Sequence, residues 1–185
     1  MKEKFASRAG QKLQHALNTF NIDVSGKICA DLGCGTGGFV DCLLQNGARK
    51  VYAVDTGYGV LEWKLRQDPK VVVMERTNAL HVELPDKVDF ISIDVGWTRQ
   101  KLIVPHALAL LRNKGNLVSL LKPHYEAEKS WLRDGKVRDE FLSSTIDKVK
   151  KDLSDLGITV KDITESPIVG QKGGNVEYLM WITEK

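Results

Sequence analysis

Four charged residues have the types needed to hold a hydroxyl group and assist the loss of its proton. Asp94 and Lys122 each close an apolar segment, and Glu177 is an acid inside another apolar segment. A charge in such a place is costly unless it is paired. Lys12, in an amphipathic segment near the start of the chain, is the predicted partner of Glu177. Each residue taken singly is also explained by an exposed strand end or a structural ion pair.

A glycine-rich stretch is the second chemical feature. Residues 31–39 read Asp-Leu-Gly-Cys-Gly-Thr-Gly-Gly-Phe, between an apolar segment and an amphipathic one. Glycines at such a junction let the backbone turn sharply and approach a bulky ligand closely. Asp55 ends the next apolar segment, about 20 residues further on, where a carboxylate can accept hydrogen bonds from ribose hydroxyls. The two features together predict a nucleotide-like ligand.

Three ligands are compatible with the glycine-rich stretch: S-adenosylmethionine, a nicotinamide dinucleotide, or none if the glycines only form a turn. The acid Asp31 before the glycines favours S-adenosylmethionine. So does the compact sequence Thr36-Gly37-Gly38, where a dinucleotide fingerprint would continue toward its third glycine. The chain is also too short for a separate substrate domain. We therefore expect S-adenosylmethionine as the cofactor.

With a sulfonium donor, the chemistry expected of the four charged residues is methyl transfer to a hydroxyl. The protein must align the oxygen with the methyl carbon and help remove its proton. An amine that nearby cations or partial burial shift toward its neutral form can act as the base or orient an oxygen lone pair. Lys122 is the predicted amine, held by Asp94, while Lys12 and Glu177 position the sugar and tune the charge.

Strand-like and helix-like segments alternate along the whole chain, which predicts an α/β domain with a mostly parallel, Rossmann-like sheet of seven strands and helices on both faces. Ser7 is predicted to cap the first helix, and residues 124–136 and 166–175 are expected to be loops. The predicted strands are 27–32, 50–55, 70–74, 88–94, 116–122, 158–164 and 176–183, and the later helices 38–46, 59–66, 98–112 and 137–156.

The composition predicts one globular domain over residues 1–185, in which residues 1–22 form a helical segment that contributes Lys12. No run approaches the roughly 18 apolar residues of a membrane span. The chain has 3 cysteines, an odd number that suits a reducing interior. We therefore expect a cytoplasmic protein. The net charge of +3 does not by itself indicate nucleic acid. Residues 99–151, however, hold twelve lysines and arginines against six acids.

The chain resembles the FtsJ-like ribose 2′-O-methyltransferases and, more narrowly, the TlyA (hemolysin A-like) ribosomal RNA methyltransferases. The resemblance implies a Lys-Asp-Lys-Glu tetrad at Lys12, Asp94, Lys122 and Glu177, methylation of a ribose 2′-hydroxyl in ribosomal RNA, and ribosomal RNA or a ribosomal subunit as partner. The matching blocks are, in chain order, residues 7–13, 31–41, 47–55, 65–69, 75–79, 93–95, 121–123, 166–168 and 174–177.

The predicted site contains no metal, and we expect a monomer or weak dimer that does not bind membranes. The catalytic residues are expected to be the four of the tetrad. The predicted cofactor contacts are Gly33, Cys34, Gly35, Gly37, Gly38, Phe39, Asp55, Thr56, Asn78 and Asp94.

The sequence departs from the TlyA pattern beside the expected acceptor pocket. Gly96-Trp97 stands where Ser-Phe is usual, and His124-Tyr125 where Gln-Phe is usual. Trp97 and Tyr125 either stack on a nucleobase or pack a loop onto the sheet. His124 is either a proton shuttle or polar surface. TlyA proteins also carry a small RNA-binding domain ahead of the methyltransferase, so we expect either that such a segment precedes this chain or that RNA is bound without it.

Two other functions fit the sequence: methylation of a hydroxyl on a different substrate, and RNA or ribosome binding on a methyltransferase fold without turnover. A pore-forming function, suggested by the hemolysin name, is rejected because no segment is apolar enough to span a membrane or amphipathic and basic enough to insert into one.

Overall fold

The computed structural model describes residues 4–170 and 174–183. One mixed sheet of seven strands forms the centre of the described part. The strands are β1 (Ile28–Leu32), β2 (Lys50–Val54), β3 (Val71–Met74), β4 (Val88–Ile93), β5 (Leu111–Leu121), β6 (Thr159–Glu165) and β7 (Tyr178–Thr183). The helices are α1 (Ala9–Thr19), α2 (Gly38–Gln45), α3 (Trp63–Arg66), α4 (Gln100–Leu110), α5 (Pro123–Glu126) and α6 (Leu142–Asp155).

The strand order is β3-β2-β1-β4-β5-β7-β6. Strands β1 to β5 are parallel, and β7 runs antiparallel to both β5 and β6. The carboxyl ends of the parallel strands therefore meet at one edge of the sheet, and the amino end of β7 lies at that same edge. In open α/β sheets this is the edge where ligands bind.

Helices cover both faces of the sheet, so the central strands are apolar on both sides. Leu13 of α1 and Val40 of α2 belong to one buried cluster, and Ile103 of α4 and Leu153 of α6 belong to the other. The mostly parallel α/β architecture with helices on both faces matches the sequence prediction.

Several predicted boundaries are wrong. Ser7 does not cap α1: the helix begins after Arg8 without a side-chain cap, and the Ser7 carbonyl instead accepts a hydrogen bond from the Gly10 N–H at 3.1 Å. The helix predicted over 59–66 is shortened to α3, because the N–H groups of Gly59 and Val60 donate to Glu75 and hold the preceding residues in a loop.

The segment predicted as a loop over 124–136 contains secondary structure. It begins within α5 and ends in a small hairpin of Leu132–Arg133 paired with Lys136–Val137. The following helix starts at Leu142 rather than at 137, because a 3-10 turn, Asp139–Phe141, precedes it. Residues 171–173 of the second predicted loop lie outside the described residues.

Glu177 was predicted inside the last strand and instead lies one residue before it. At the opposite edge of the sheet, β5 starts at Leu111, five residues before the predicted position. No helix in the described ranges is long and apolar enough to cross a membrane.

We predict that Leu13→Ala destabilises the protein by about 2–5 kcal/mol, because the completely buried Leu13 fills the space between α1 and the sheet. Leu102→Ala, at a position of α4 that is 55% exposed, is the matched control. Urea unfolding followed by circular dichroism measures both, and equal losses in the two variants would contradict this account of the core.

Candidate active site

Gly33 lets two strand-end loops approach closely at the carboxyl edge of the sheet. It follows β1 directly and has a φ of 89°, a conformation that favours glycine. A Cβ atom at Gly33 would lie 2.4 Å from the carbonyl oxygen of Asp94, which follows β4. The glycine therefore keeps the backbone after β1 and the backbone after β4 in direct contact.

Asp55, which follows β2, fixes the glycine-rich loop. Its Oδ2 atom accepts a hydrogen bond from the Gly35 N–H at 2.8 Å, and its Oδ1 atom accepts one from the Gly57 N–H at 2.7 Å. Each carboxylate oxygen has a second lone pair that can accept a further donor. Asp55 thus both orders the loop and retains capacity for a ligand hydroxyl.

Two cavities open at this edge and share Gly33, Asp55 and Asp94. The first has a volume of about 180 Å³ and is lined also by Thr56 and Asn78. The second has a volume of about 260 Å³ and is also lined by Asp31 of β1, by Cys34 and Gly35 of the glycine-rich loop, and by Gly38 and Phe39 of α2. Nine of the ten predicted cofactor contacts therefore line one cavity or both.

Gly37 is the exception among the predicted cofactor contacts, because it lines neither cavity. It has a φ of 99°, and a Cβ atom there would lie 2.4 Å from Leu65 and 2.7 Å from Leu61. Its position immediately before α2 shows that its role in the fold is to start that helix against α3.

Burial keeps the thiol of Cys34 inert. It raises the pKa of Cys34 above its ordinary value, and the carboxylates of Asp31 and Asp55 raise it further. The Cys34 N–H donates to the Val54 carbonyl, which ties the loop to β2. Cys34 thus contributes backbone to the cavity wall rather than a nucleophile.

Asp31 has no exposed surface although it carries a carboxyl group. Its Oδ1 atom accepts a hydrogen bond from the Ser92 hydroxyl at 2.8 Å, across the β1–β4 pair. Its Oδ2 atom has no hydrogen-bond partner among the described residues. Burial raises the pKa of Asp31 from 3.8 to about 8; the Ser92 hydrogen bond opposes the rise, and the carboxylates of Asp94 and Asp55 add to it. The sequence analysis noted Asp31 as an acid but did not assign it to the site.

The four charged residues of the predicted tetrad form two ion pairs. Lys12 Nζ lies 2.5 Å from Glu177 Oε2, and both side chains are buried. Lys122 Nζ lies 2.5 Å from Asp94 Oδ1 and also donates to the Val95 carbonyl at 3.2 Å. Both pairs lie at the sheet edge that carries the cavities.

The β5–β7 pairing connects the two ion pairs. Leu121 of β5 pairs with Tyr178 of β7, so one further step of the same antiparallel register sets Lys122 opposite Glu177. Pro123, at the first position of α5, has no N–H to continue the ladder and starts the helix instead. The structure thus brings all four residues together, one from each of four chain segments.

An aromatic cluster lies beside Lys122. The rings of Trp97 and Tyr125 are 5.0 Å apart between centroids, those of Tyr125 and His124 are 4.2 Å apart, and Lys122 Nζ lies 5.9 Å from the Tyr125 centroid. Trp97 is 89% exposed and has a φ of 57°, which is unusual for a bulky residue. The contact with Tyr125 therefore leaves most of the Trp97 surface open to solvent.

His124 is the polar member of the aromatic cluster. Burial lowers the pKa of His124; Glu177 acts to raise it, and Lys122 acts to lower it further. Its buried Nδ1 atom has no hydrogen-bond partner within the described ranges. His124 is therefore a neutral imidazole that lies next to both ion pairs.

Glu126, which was not predicted as a site residue, joins the two loops beside the cluster. The Glu126 carboxylate accepts a hydrogen bond from the Gln100 N–H at 2.7 Å and so holds the start of α4 against α5. Gln100 in turn accepts a hydrogen bond from the Ser119 hydroxyl at 2.6 Å. Burial raises the pKa of Glu126. No periodic signal marks this acid, since its partner is a backbone N–H 26 residues away.

Glu75, which directly follows β3, has a similar organising role for the loop after Asp55. It pairs with Arg66 and accepts hydrogen bonds from the N–H groups of Gly59 and Val60. The Arg66 hydrogen bond, followed by those from the backbone, lowers the pKa of Glu75 from 4.5 to about 2. The loop after Asp55 is thereby held in one conformation. In the part of the chain that the structure describes, no group of His, Cys, Asp and Glu residues is arranged to hold a metal ion.

Comparison with known proteins identifies relatives of the whole described fold. The model of the family described as FtsJ-like methyltransferase matches residues 5–183. YqxC of Bacillus subtilis is 41% identical over 96% of this chain, and the chain spans 65% of that relative's length. The 16S/23S rRNA (cytidine-2′-O)-methyltransferase TlyA of Mycobacterium tuberculosis is 36% identical over 96% of this chain and 68% of its own length.

A solved structure of a Streptococcus thermophilus protein has the same fold. It superposes with a TM-score of 0.94 at 39% identity and covers 100% of this chain and 69% of that one. The resemblance inferred from the sequence blocks is therefore confirmed.

We predict that the protein loses stability as the pH rises from about 4 to about 8, because Asp31 keeps its proton in the folded state after the unfolded chain has lost it. Asp31→Asn, which resembles the neutral acid, should show a shallower loss. The measurement is the free energy of unfolding in urea from pH 5 to pH 8. Asp155→Asn, at an exposed position of α6, is the control. Identical pH profiles for Asp31→Asn and the natural sequence would contradict a protonated Asp31.

Proposed function

Because the chain belongs to the FtsJ-like methyltransferase family, we propose that it transfers a methyl group from S-adenosylmethionine to a ribose 2′-hydroxyl of ribosomal RNA. The observation that carries the proposal is the pair of ion pairs, Lys12–Glu177 and Lys122–Asp94, beside the cavities of the glycine-rich loop. The Mycobacterium tuberculosis relative, a 16S/23S rRNA (cytidine-2′-O)-methyltransferase, supports the 2′-hydroxyl as the acceptor. A ribosomal substrate implies activity in the cytoplasm.

The residues at the cavities fit S-adenosylmethionine. The glycine-rich loop offers main chain at Gly33 and Gly35, and Asp55 keeps free lone pairs for ribose hydroxyls. The unpartnered oxygen of Asp31 suits a cation, and the donor carries both an ammonium and a sulfonium group. When bound, the cofactor supplies a methyl group already activated by the positive sulfur. Thr56 and Asn78 line the cavity that would hold the remaining part of the nucleoside.

Lys122 is the group proposed to hold the acceptor hydroxyl. Asp94 and the Val95 carbonyl take two positions around its nitrogen, and the remaining position is left for the ribose oxygen. In the neutral amine the two N–H groups bind Asp94 and the Val95 carbonyl, so the lone pair of Nζ occupies the remaining position and accepts the hydroxyl proton. The same contact holds the hydroxyl oxygen in line with the methyl carbon. The buried Lys12–Glu177 pair, opposite Lys122, positions the sugar and balances the charge.

Exposed cations and aromatic surface support an RNA substrate. The hairpin that follows α5 carries Arg133, whose side chain is 83% exposed, and Lys136, which is also exposed. Basic groups near an active site neutralise phosphates, and exposed rings such as that of Trp97 stack on unpaired bases. Both features adjoin the Lys122–Asp94 pair along the chain and support a nucleic acid rather than a small acceptor.

The direct test is to incubate the protein with S-adenosylmethionine labelled in the methyl group and with ribosomal subunits that lack the modification. Nuclease digestion and mass spectrometry then locate the label. Recovery of a 2′-O-methyl nucleoside is the expected result. Label found only on a base, on protein or on a small molecule would refute ribose methylation.

We predict that Lys122→Ala lowers the rate of methyl transfer by at least about 100-fold, the usual contribution of a positioned acid–base group. The dissociation constant for S-adenosylmethionine should change little, because Lys122 faces the acceptor. Transfer is measured by label incorporation and affinity by calorimetry. Lys150→Ala, on the exposed side of α6, is the control. A fully active Lys122→Ala protein would show that another group handles the hydroxyl.

Asp55→Ala should instead weaken cofactor binding by roughly 1.5–3 kcal/mol, the range for hydrogen bonds to a charged group. The variant loses both the ribose acceptor and the anchor of Gly35 and Gly57. Asp55→Asn, which keeps one acceptor oxygen, should lose less. Calorimetry with S-adenosylmethionine compares the three proteins, and unchanged affinity in Asp55→Ala would exclude Asp55 from the binding site.

A further inference from the structure

The carboxyl group of Asp31 is buried at the floor of the larger cavity. Residues alternate across β1, and Cys29 on the same side of that strand belongs to the cluster covered by α1 and α2. Asp31 therefore faces the space under α1 and α2, where the 260 Å³ cavity lies. One oxygen is bonded to Ser92, and the other has no partner within residues 4–170 and 174–183. Such an unmet acceptor is unfavourable unless it is protonated or meets a donor.

The charged groups around Asp31 do not supply the missing partner. Asp94 from the end of β4 and Asp55 from the end of β2 are acids, and both disfavour ionisation of Asp31. The two lysines of the tetrad, which stand at this edge of the sheet, have carboxylate partners: Lys12 of α1 is bonded to Glu177, and Lys122 to Asp94. The thiols of Cys34 in the loop and Cys42 in α2, which Asp31 also influences, are kept neutral by burial. The cavity thus combines several acids with one unsatisfied oxygen.

A cation that enters this cavity lowers the cost of ionising Asp31. Asp31 without its proton is costly when no cation is bound, because it adds a third negative charge beside Asp55 and Asp94. A positive group within hydrogen-bond reach would offset that charge and satisfy the free oxygen at the same time. The proton and the ligand cation therefore compete for one position.

We propose that binding of the cationic methyl donor ionises Asp31 and expels its proton, so that cofactor binding and proton release are a single coupled event. The inference rests on the proposed function, since it takes S-adenosylmethionine as the ligand. The exchange balances: the neutral acid gives up one proton to the solvent and becomes a carboxylate paired with the ligand cation. The total charge of the cavity stays the same, and no covalent bond of the donor changes. Ser92 is a positioning residue in this exchange, because its hydroxyl holds the other oxygen in both states.

The coupling has a measurable consequence for affinity. A binding step that releases one proton becomes more favourable as the pH rises, by about tenfold in the dissociation constant for each pH unit. This holds while Asp31 is protonated in the free protein and ionised in the complex. The α-amino group of the ligand titrates near pH 8, so the range from pH 5.5 to 7 isolates the carboxyl group.

The test is isothermal titration calorimetry of the full chain in buffers that differ in ionisation enthalpy. Close to one proton should be released for each S-adenosylmethionine bound at pH 6.5, and affinity should rise about tenfold from pH 5.5 to 6.5. Infrared difference spectra should show loss of a protonated-carboxyl C=O band on binding. 5′-Methylthioadenosine, which carries neither cation, should release none. S-adenosylhomocysteine keeps the ammonium only: release with this ligand assigns the ammonium as the partner of Asp31, and release only with S-adenosylmethionine assigns the sulfonium.

Asp31→Asn should bind S-adenosylmethionine more weakly, without proton release and with an affinity that is flat between pH 5.5 and 7. Asp155→Asn, far from the cavity on α6, should behave like the natural sequence. If Asp31→Asn fails to fold, the infrared band and the buffer dependence of the natural sequence decide the matter. Binding without proton release, release with 5′-methylthioadenosine, or an unchanged pH dependence in Asp31→Asn would overturn the coupling alone. Failure to bind S-adenosylmethionine at any pH would overturn the proposed cofactor as well.

Discussion

The four charged residues of the tetrad can lie together at the carboxyl edge of this sheet because they form two pairs of opposite charge. Lys12 and Glu177 lie almost entirely out of solvent, and a single unpaired charge in that place would cost several kcal/mol. Lys122 and Asp94 obey the same requirement in a more open position. The pairs fix the directions of four side chains that would otherwise be free to rotate. The four side chains therefore form a rigid set of donors and acceptors beside a cavity that is also lined by polar groups.

The antiparallel strand β7 is the structural condition for this arrangement. If β7 ran parallel to β5, its amino end would lie at the opposite edge of the sheet and Glu177 would be far from Lys122. Reversal of one strand brings an acid from the end of the chain to lysines from its start and middle. Helix α1 completes the set, because its packing against α2 and β7 places Lys12 over the same edge.

Asp31 stands apart from the paired charges. It is buried as completely as any residue in the core, yet one of its oxygens has no partner among the described residues. The unsatisfied oxygen, whose burial costs free energy, lies at the floor of a cavity rather than within the packed core. An unsatisfied polar group in a cavity can bind a ligand, whereas the same group between two packed layers would only destabilise the protein. The proposed exchange of a proton for a ligand cation depends on this distinction.

The sequence by itself determined the approximate positions of the strands, the glycine-rich turn, the four charged residues and which of them should pair. These features are local: apolar runs end at a charge, and glycines are needed where the backbone turns, as at Gly33. Tertiary structure decided the features that join distant segments. Glu126 accepts a hydrogen bond from a backbone N–H on another helix, and the state of Asp31 depends on Ser92 and on the acids that follow β2 and β4. The Lys12–Glu177 pair was predicted, but it joins residues 165 apart, so packing alone sets its geometry. The limits of α3 have the same origin, because the contacts of Glu75 with Gly59 and Val60 override local preference. Burial and electrostatic pairing are properties of the packed chain, so only the folded structure specifies them.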